Sequence, residues 1–322
     1  MTRGRTPVGQ PAAGWTAALR DPLPDLSYPE VLTVGAPEPR WQGAVRGLAG
    51  AGLGVLTMLA VVPVANLVLT WVGWVGSGSP GDFTSFRAAA AAFANPAGML
   101  AAHLALALLL PLSLALVVLV HRVRPRWLHS LQPGFRWAWA VQCLLAGIGV
   151  FGVFLALSTL GQDLRFAPQP DLAWFLPVIL LTSPLQAAAE EYFFRGYLLQ
   201  ALNLVVPGRW VGLVGSALVF ALFHGTQNLP LFLDRFGFGL VAGLLVLRTG
   251  GLEAGIAAHV VNNVFAFVWA GLTSSIAAVK ATQVIGWQDA AGDLAGFAVF
   301  ALLALLLGRR MNLATATPSG RG

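Results

Sequence analysis

Two adjacent carboxylates and an arginine follow a long apolar stretch near the middle of the chain. Glu190, Glu191 and Arg195 come at the end of the apolar run 174–189, in a sequence that otherwise keeps charge out of such runs. An ionised side chain at the centre of a bilayer costs about 2.5–3.5 kcal/mol on insertion scales, so such a group persists when it is partnered or used. On a helix Glu191 and Arg195 share a face, with the acid N-terminal to the base. That pairing leaves Glu190, about 100° away around the helix, without a partner.

Further polar side chains lie within or at the ends of later apolar runs. Phe220 and His224 are four residues apart, and so are His259 and Asn263, so each pair shares one face of a helix. Polar groups that are dispersed over neighbouring spans are most simply explained by one shared cavity. We therefore expect these side chains and Glu190 to meet inside the membrane.

Such a cavity could hydrolyse an amide without a covalent intermediate. A carboxylate shielded from bulk water, here Glu190, can take a proton from water beside a histidine such as His224. A second histidine and an amide, His259 and Asn263, can donate to the oxyanion that forms when this water attacks a carbonyl. The sequence has no Gly-x-Ser-x-Gly nucleophile motif and no phosphate-binding glycine loop, and its one cysteine, Cys143, is far from the histidines along the chain.

The composition is that of a polytopic membrane protein. Of 322 residues, 57% are hydrophobic and only 10% are charged, against about 25% charged in soluble domains. The net charge of +6 comes from arginines scattered between apolar runs, which argues against a nucleic-acid partner. A single cysteine also excludes an intramolecular disulfide and a cysteine zinc cage.

The apolar runs predict an all-α fold with about eight transmembrane helices. We expect the spans near residues 48–75, 97–120, 137–160, 172–189, 210–224, 236–247, 252–272 and 294–307, of which the sixth is short for a full crossing. The proline-rich residues 1–40 are interpreted as a disordered cytoplasmic tail. Residues 41–168 would form an N-terminal three-helix membrane region, and 169–275 the catalytic core. Residues 276–322 would supply the last transmembrane helix and a basic cytoplasmic tail.

The basic residues near the span ends predict the orientation. With eight spans, fifteen of the nineteen basic residues fall on the side of the N-terminus. The other side receives only Arg87, Arg165, Arg235 and Lys280. This excess predicts an integral protein of the plasma membrane with both termini in the cytoplasm, and it puts the stretch 190–195 toward the cytoplasmic side.

Two smaller patterns concern helix packing. Gly239 and Gly243 form a small-xxx-small face, which is typical of closely packed membrane helices. His103 lies in the second span without a polar neighbour at helical spacing, and we interpret it as a packing residue.

Three motifs occur in order over about 75 residues. Together they resemble the CAAX-protease and bacteriocin-processing family, also called CPBP or Abi, of intramembrane glutamic endopeptidases. The resemblance covers residues 170–275, and every motif matches without substitution. The motifs are Glu190-Glu191-x-x-x-Arg195, Phe220-x-x-x-His224 and His259-x-x-x-Asn263.

The resemblance implies a CPBP-type helical core with a cavity open to the cytoplasmic leaflet. It implies that Glu190 is the general base, that His224 is its partner in activating water, and that His259 and Asn263 form the oxyanion hole. The supporting residues would be Glu191, Arg195 and Phe220. The implied reaction is cleavage of a peptide bond in a membrane-associated or C-terminally lipidated, CAAX-like substrate.

Three other functions are compatible with these residues. A zinc-dependent form of the same protease would use Glu190, His224 and His259 as ligands and keep a fourth position open; otherwise no cofactor is expected. A transporter would need broken helices in two corresponding halves, and the sequence shows no such symmetry. A non-catalytic scaffold or immunity protein would bind a membrane peptide at the same place. In each case the expected partners are membrane lipid and a membrane-associated protein or peptide.

Overall fold

The computed structural model describes residues 19–33, 39–161 and 163–319. Within these ranges the chain is helical, with two isolated β-bridge pairs and no strand. In chain order the helices are α1 Arg40–Gly76, α2 Phe83–Ala91, α3 Pro96–His121, α4 Arg126–His129, α5 Trp137–Ser158, α6 Leu172–Val205, α7 Arg209–Leu222, α8 Leu229–Thr249, α9 Glu253–Thr273, α10 Ile276–Lys280 and α11 Trp287–Arg310.

Over the described residues, seven helices are long and apolar enough to cross a membrane: α1, α3, α5, α6, α8, α9 and α11. This confirms the prediction of an all-α polytopic membrane protein. The eighth apolar helix, α7, has 14 residues and is about 21 Å long, short of a hydrocarbon core of about 30 Å.

The sequence prediction placed the short span elsewhere, at residues 236–247, and there it was wrong. Helix α8 has 21 residues because it begins at Leu229, where the Asn228 side chain caps it and Pro230 occupies its first turn. The charges of Asp234 and Arg235 interrupt the apolar pattern but not the helix.

Hydrogen bonds between loops group the helix ends at the two ends of the bundle. At one end, Thr317 N donates to Leu26 O (2.9 Å) and Leu131 N donates to Gly250 O (2.7 Å). We call this end, with residues 19–33, 122–136, 206–208, 250–252 and 311–319, the terminal face. The other end, with residues 77–95, 159–161, 163–171, 223–228 and 274–286, is the opposite face. The two ends of the described chain therefore lie on the same side of the bundle.

Residues 19–33 are ordered, contrary to the disorder predicted for 1–40. Tyr28 is 1% exposed, and its hydroxyl donates to Leu128 O at 2.5 Å. Val31 and Leu32 are buried beside it, so this segment has an apolar anchor among its prolines. Residues 1–18 and 34–38 lie outside the described residues, so for them the prediction stays open.

Glycines bring α7 and α8 into close contact. A Cβ atom added to Gly239 would lie 2.9 Å from Ala217 Cβ, and one added to Gly243 would collide with Leu213. The packing role predicted for the Gly239–Gly243 face is therefore confirmed. This closeness matters because α7 and α8 carry aromatic rings that pack against the polar side chains of the candidate site.

Candidate active site

Helix α6 carries both glutamates in the middle of the bundle. Glu190 lies eighteen residues beyond Leu172, about 27 Å along the helix. Because adjacent helical residues point about 100° apart, the two carboxylates enter different surroundings. The Glu191 side chain is fully buried, whereas 11% of the Glu190 side chain is exposed. The helix widens into a π-helical stretch, Tyr192–Leu198, directly after them, a local distortion that is frequent at functional sites.

Glu191 forms the predicted ion pair with Arg195. Arg195 Nη1 donates to Glu191 Oε1 at 3.0 Å, and both side chains are 0% exposed. The guanidinium also lies over aromatic rings, 4.0 Å from the centroid of Phe220 and 5.1 Å from that of Phe238. These cation–π contacts partly compensate Arg195 Nε and Nη2, which have no hydrogen-bond partner. Arg195 is thus an interior residue. The orientation prediction had counted it among the basic residues on the cytoplasmic side, but it is not part of a cytoplasmic segment.

Two glycines, which have no side chain, provide the space that this ion pair occupies. A Cβ atom at Gly255 would lie 3.1 Å from Glu191 Oε2, and one at Gly239 would lie 3.2 Å from Arg195 Nη2. Larger residues at these positions of α9 and α8 would therefore press on the buried charges.

Glu191 also orients His259 on α9. His259 Nδ1 lies 2.9 Å from Glu191 Oε1, so this nitrogen carries the hydrogen that it donates to the carboxylate. The other ring nitrogen, Nε2, then points at Glu190 and lies 3.6 Å from its Oε2. Glu190 therefore meets a histidine of another helix, but that histidine is His259, whereas the predicted partner was His224.

Asn263 is connected to the site by a hydrogen bond to a glutamine that none of the three motifs contains. Asn263 Nδ2 donates to Gln186 Oε1 at 3.1 Å, and Gln186 is only 5% exposed. Gln186 precedes Glu190 by four residues and shares its face of α6. A polar residue one turn before Glu190 inside an apolar run was the signal that could have identified it. Asn263 keeps one further amide hydrogen for another acceptor.

His224 lies in the turn that follows α7 and is exposed. Its Nδ1 donates to Phe220 O at 2.8 Å, and its ring packs 4.5 Å from the Phe220 ring. The same ring also packs against His259, with 6.0 Å between the ring centroids. Phe220 therefore contacts both imidazoles. The predicted pairing of Glu190 with His224 is not a hydrogen bond in this structure.

The three possible zinc ligands do not form a metal-binding cluster. Across residues 19–33, 39–161 and 163–319, no three His, Cys, Asp or Glu side chains are grouped closely enough to hold a metal ion. Glu190 and His259 are neighbours, and His224 is not grouped with them.

On the side of the terminal face, the site is bounded by polar contacts. No motif predicts these contacts. The Arg136 guanidinium donates to both carboxylate oxygens of Glu253, at 2.9 and 2.6 Å, and to Thr249 O at 2.7 Å. His129 and the Tyr192 hydroxyl are hydrogen-bonded to each other. These residues come from separate loops and helices, so no spacing in the sequence indicates them.

The remaining residues named from the sequence lie elsewhere. His103 Nδ1 is 2.8 Å from Thr182 Oγ1, and its ring packs against Phe93 and Phe267, in agreement with a packing role. Cys143 is a free, buried thiol.

Comparisons with known proteins agree with the motifs. Residues 172–265, which contain all seven motif residues, match the family described as Type II CAAX prenyl endopeptidase Rce1-like. This confirms the family resemblance for that segment. A relative, the uncharacterized protein YyaK of Bacillus subtilis (strain 168), is 31% identical over 98 residues, 29% of this chain and 33% of the relative. The chain thus matches about a third of that relative's length. No solved structure matches the chain.

Proposed function

We propose that this chain is an intramembrane endopeptidase that hydrolyses a peptide bond of a membrane-associated substrate with Glu190 as the general base. The observation that carries the proposal is the meeting of Glu190 and His259, 3.6 Å apart, at a place where the neighbouring ion pair is sealed but Glu190 is partly open. The family match of residues 172–265 supports a protease of the CAAX type.

In the proposed reaction Glu190 takes a proton from water while the water oxygen attacks the carbonyl carbon. The π electrons of the carbonyl move to its oxygen, which becomes an oxyanion. When this intermediate collapses, the C=O bond re-forms, the C–N bond breaks, and the proton held by Glu190 passes to the leaving amine.

The other motif residues have supporting roles in this proposal. The free amide hydrogen of Asn263 is a neutral donor for the oxyanion, and His259 is a second donor when both its ring nitrogens are protonated. His224, the most exposed of the group, assists in activating water on the open side of the site. Glu191 and Arg195 do not touch the reacting atoms; they hold His259 in position.

The location and substrate complete the proposal. From the excess of basic residues we propose that the protein lies in the plasma membrane with both termini on the cytoplasmic side. The partners are then lipid and a membrane-associated protein or peptide, and a lipidated C-terminal peptide is the class that the family description suggests.

The test compares membranes that contain the parent protein or the Glu190→Gln variant. The amide keeps the shape of the side chain and loses its basicity, so we expect cleavage to fall about 10²–10⁴-fold while the protein stays folded in the membrane. Proteome-wide mapping of peptide termini measures this loss. Glu30→Gln, the same change at an exposed site near the terminal face, is the matched control. Identical termini in parent and Glu190→Gln membranes would contradict the proposal and favour a non-catalytic scaffold or a transporter.

Metal dependence is tested on the purified, active protein. Because the site's side chains form no cluster of three metal ligands, we expect activity to survive exhaustive chelation. Loss of activity that added zinc restores would replace the glutamic mechanism with the zinc-dependent one.

A further inference from the structure

We propose that Gln186 is a positioning residue of the candidate site. It holds the Asn263 side chain in the orientation in which Asn263 can donate to the oxyanion, and the ionised Glu190 carboxylate fixes the orientation of Gln186 in turn. This inference deepens the proposed function, and for the roles of Glu190 and Asn263 it rests on that function. Gln186 itself belongs to none of the three motifs.

Four side chains form two contacts between helices α6 and α9. Glu190 faces His259, with 3.6 Å between Oε2 and Nε2, and Gln186 faces Asn263, with a hydrogen bond of 3.1 Å. Four residues back along α6 and four residues forward along α9 lead from the first contact to the second, as expected of antiparallel helices. The two contacts are therefore one helical turn, about 6 Å, apart.

Gln186 is buried and has a polar partner on each side. The residue is 5% exposed, so its amide depends on partners within the protein. Its Oε1 accepts from Asn263, and its side chain also donates a hydrogen bond to the Glu190 carboxylate, one turn further along the same face of α6. A glutamine amide has one oxygen and one NH2 group, so it can connect an acceptor on one side with a donor on the other.

The charge of Glu190 decides how the Gln186 amide is oriented. An ionised carboxylate only accepts hydrogen bonds, so Gln186 must turn its NH2 group toward Glu190. The amide oxygen of Gln186 then faces Asn263, which must present its own NH2 group to that oxygen. The orientation of Asn263 is thus set by a carboxylate that it does not need to touch.

Asn262 supports the same orientation from the other side of Asn263. Its Nδ2 donates to Asn263 Oδ1 at 3.4 Å, so the oxygen of the Asn263 amide points away from Gln186. One amide hydrogen of Asn263 is bound by Gln186, and the other is left for the oxyanion. A reversed amide would exchange the oxygen and the nitrogen of Asn263, and this second hydrogen would leave its place.

A purely structural role explains Gln186 less well. Helices α6 and α9 are already joined by the buried hydrogen bond between Glu191 and His259, 2.9 Å long. An amide within an apolar run costs free energy unless it is hydrogen-bonded. The two partners of Gln186 are the proposed general base and a proposed oxyanion donor, so its position matches a role in the reaction.

The arrangement links the general base to the oxyanion donor. Glu190 can take a proton from water only when it is ionised, and in that state it requires the NH2 group of Gln186. Through Gln186 the same state holds Asn263 in its donating orientation. The two groups that the first step of the reaction needs are thus prepared together.

The test measures kcat and KM of the purified protein with a fluorogenic peptide that spans a cleavage site found by the mapping of termini. Gln186→Met keeps the length of the side chain and removes both hydrogen bonds. A donor to the oxyanion stabilises the transition state and not the bound substrate, so we expect kcat to fall at least about tenfold with KM unchanged. Gln142→Met, the same change at an exposed position of α5, is the matched control and should keep both constants.

A second variant covers the case in which Gln186→Met does not fold. Gln186→Asn keeps an amide, but its side chain is one methylene group shorter and cannot reach both partners at once. We expect the same result, a lower kcat with KM unchanged.

The double variant Gln186→Met, Asn263→Ala shows whether Gln186 acts through Asn263. Loss of one oxyanion donor lowers kcat by about 10²–10³-fold, which is the effect we expect of Asn263→Ala alone. The double variant should match Asn263→Ala within about twofold, because the amide that Gln186 orients is then absent. Losses that multiply would show that Gln186 acts independently of Asn263 and would overturn the proposal.

The outcomes separate this proposal from the proposed function. If Glu190→Gln cleaves the peptide like the parent, both are overturned. If Glu190→Gln is inactive but a folded Gln186 variant keeps the parent's kcat, the protease stands and the role of Gln186 is overturned.

Thermal unfolding in detergent gives a readout that needs no cleavage. The fall in Tm of the double variant Gln186→Met, Asn263→Ala should be smaller than the sum of the two single falls, because the two side chains share one hydrogen bond. An additive fall would show that the two amides do not interact, and it would overturn the proposal.

Discussion

At the scale of single residues, one buried carboxylate organises the site. Glu191 Oε1 accepts from Arg195 and from His259 at the same time, which fixes the imidazole so that its Nε2 faces Glu190. Glu190 itself is free of this pairing and partly accessible. The adjacent glutamates therefore have different surroundings: the buried one holds its neighbours in position, and the partly accessible one is the proposed general base.

The ion pair leads to a prediction about Arg195. The Arg195→Ala variant leaves the Glu191 charge buried without its partner, so we expect a loss of about 3–5 kcal/mol in unfolding free energy together with loss of activity. The double variant Glu191→Gln, Arg195→Met removes both charges and should regain much of the stability without activity. Thermal unfolding in detergent measures the stability. A single variant as stable as the parent would show that the pair is not structurally required.

At the scale of elements, two glycine-lined contacts set the distances inside the site. Helix α8 approaches α7 at Gly239, and Gly255 of α9 leaves room for the Glu191 carboxylate beside Ala242 of α8. Small residues at such interfaces let helix backbones approach each other.

The close approach predicts the effect of Gly239→Ala. In an exposed helix this change stabilises by about 1 kcal/mol, because alanine is the better helix former. Here the new Cβ would lie 2.9 Å from Ala217 Cβ and 3.2 Å from Arg195 Nη2, so we expect lower thermal stability and reduced cleavage. Gly149→Ala in α5, where nothing lies within 4 Å of the added atom, is the matched control and should be neutral or slightly stabilising. Equal behaviour of the two variants would contradict the packing argument.

At the scale of the whole molecule, the N-terminal segment ties the terminal face together. Asp21 accepts from Arg124 at 2.8 Å, from Arg126 at 2.9 Å and from the Trp127 indole at 2.7 Å. Burial by itself raises the pKa of Asp21, but the hydrogen bonds from Trp127 and Arg126 and the charges of both arginines outweigh it and lower the pKa below its usual value. The charged form of Asp21 is therefore favoured by folding.

This shift predicts how Asp21→Asn depends on pH. A lowered pKa contributes stability above the unfolded-state value of about 3.9 and loses it as the pH falls through the folded-state value. We expect Asp21→Asn to cost at most about 1 kcal/mol at pH 7, because solvent screens these partly exposed pairs, and the difference to vanish in acid. Thermal unfolding at several pH values measures it. Asp163→Asn, at an 89% exposed side chain, should show no such dependence.

The sequence by itself determined the fold class and the positions of most spans, and it indicated most of the polar side chains that meet at the candidate site. Apolar runs can be recognised without contacts, because water and lipid select composition one segment at a time, and charges inside such runs are costly enough to mark a site. This is why Glu190, Glu191, Arg195, His259 and Asn263 were identified and found together.

The remaining features depend on contacts between segments that are far apart in the sequence. That His259 rather than His224 meets Glu190 depends on how α6, α7 and α9 pack together, and no spacing encodes it. Gln186, the Arg136–Glu253 pair and the ordered segment 19–33 gain their meaning from partners on other helices.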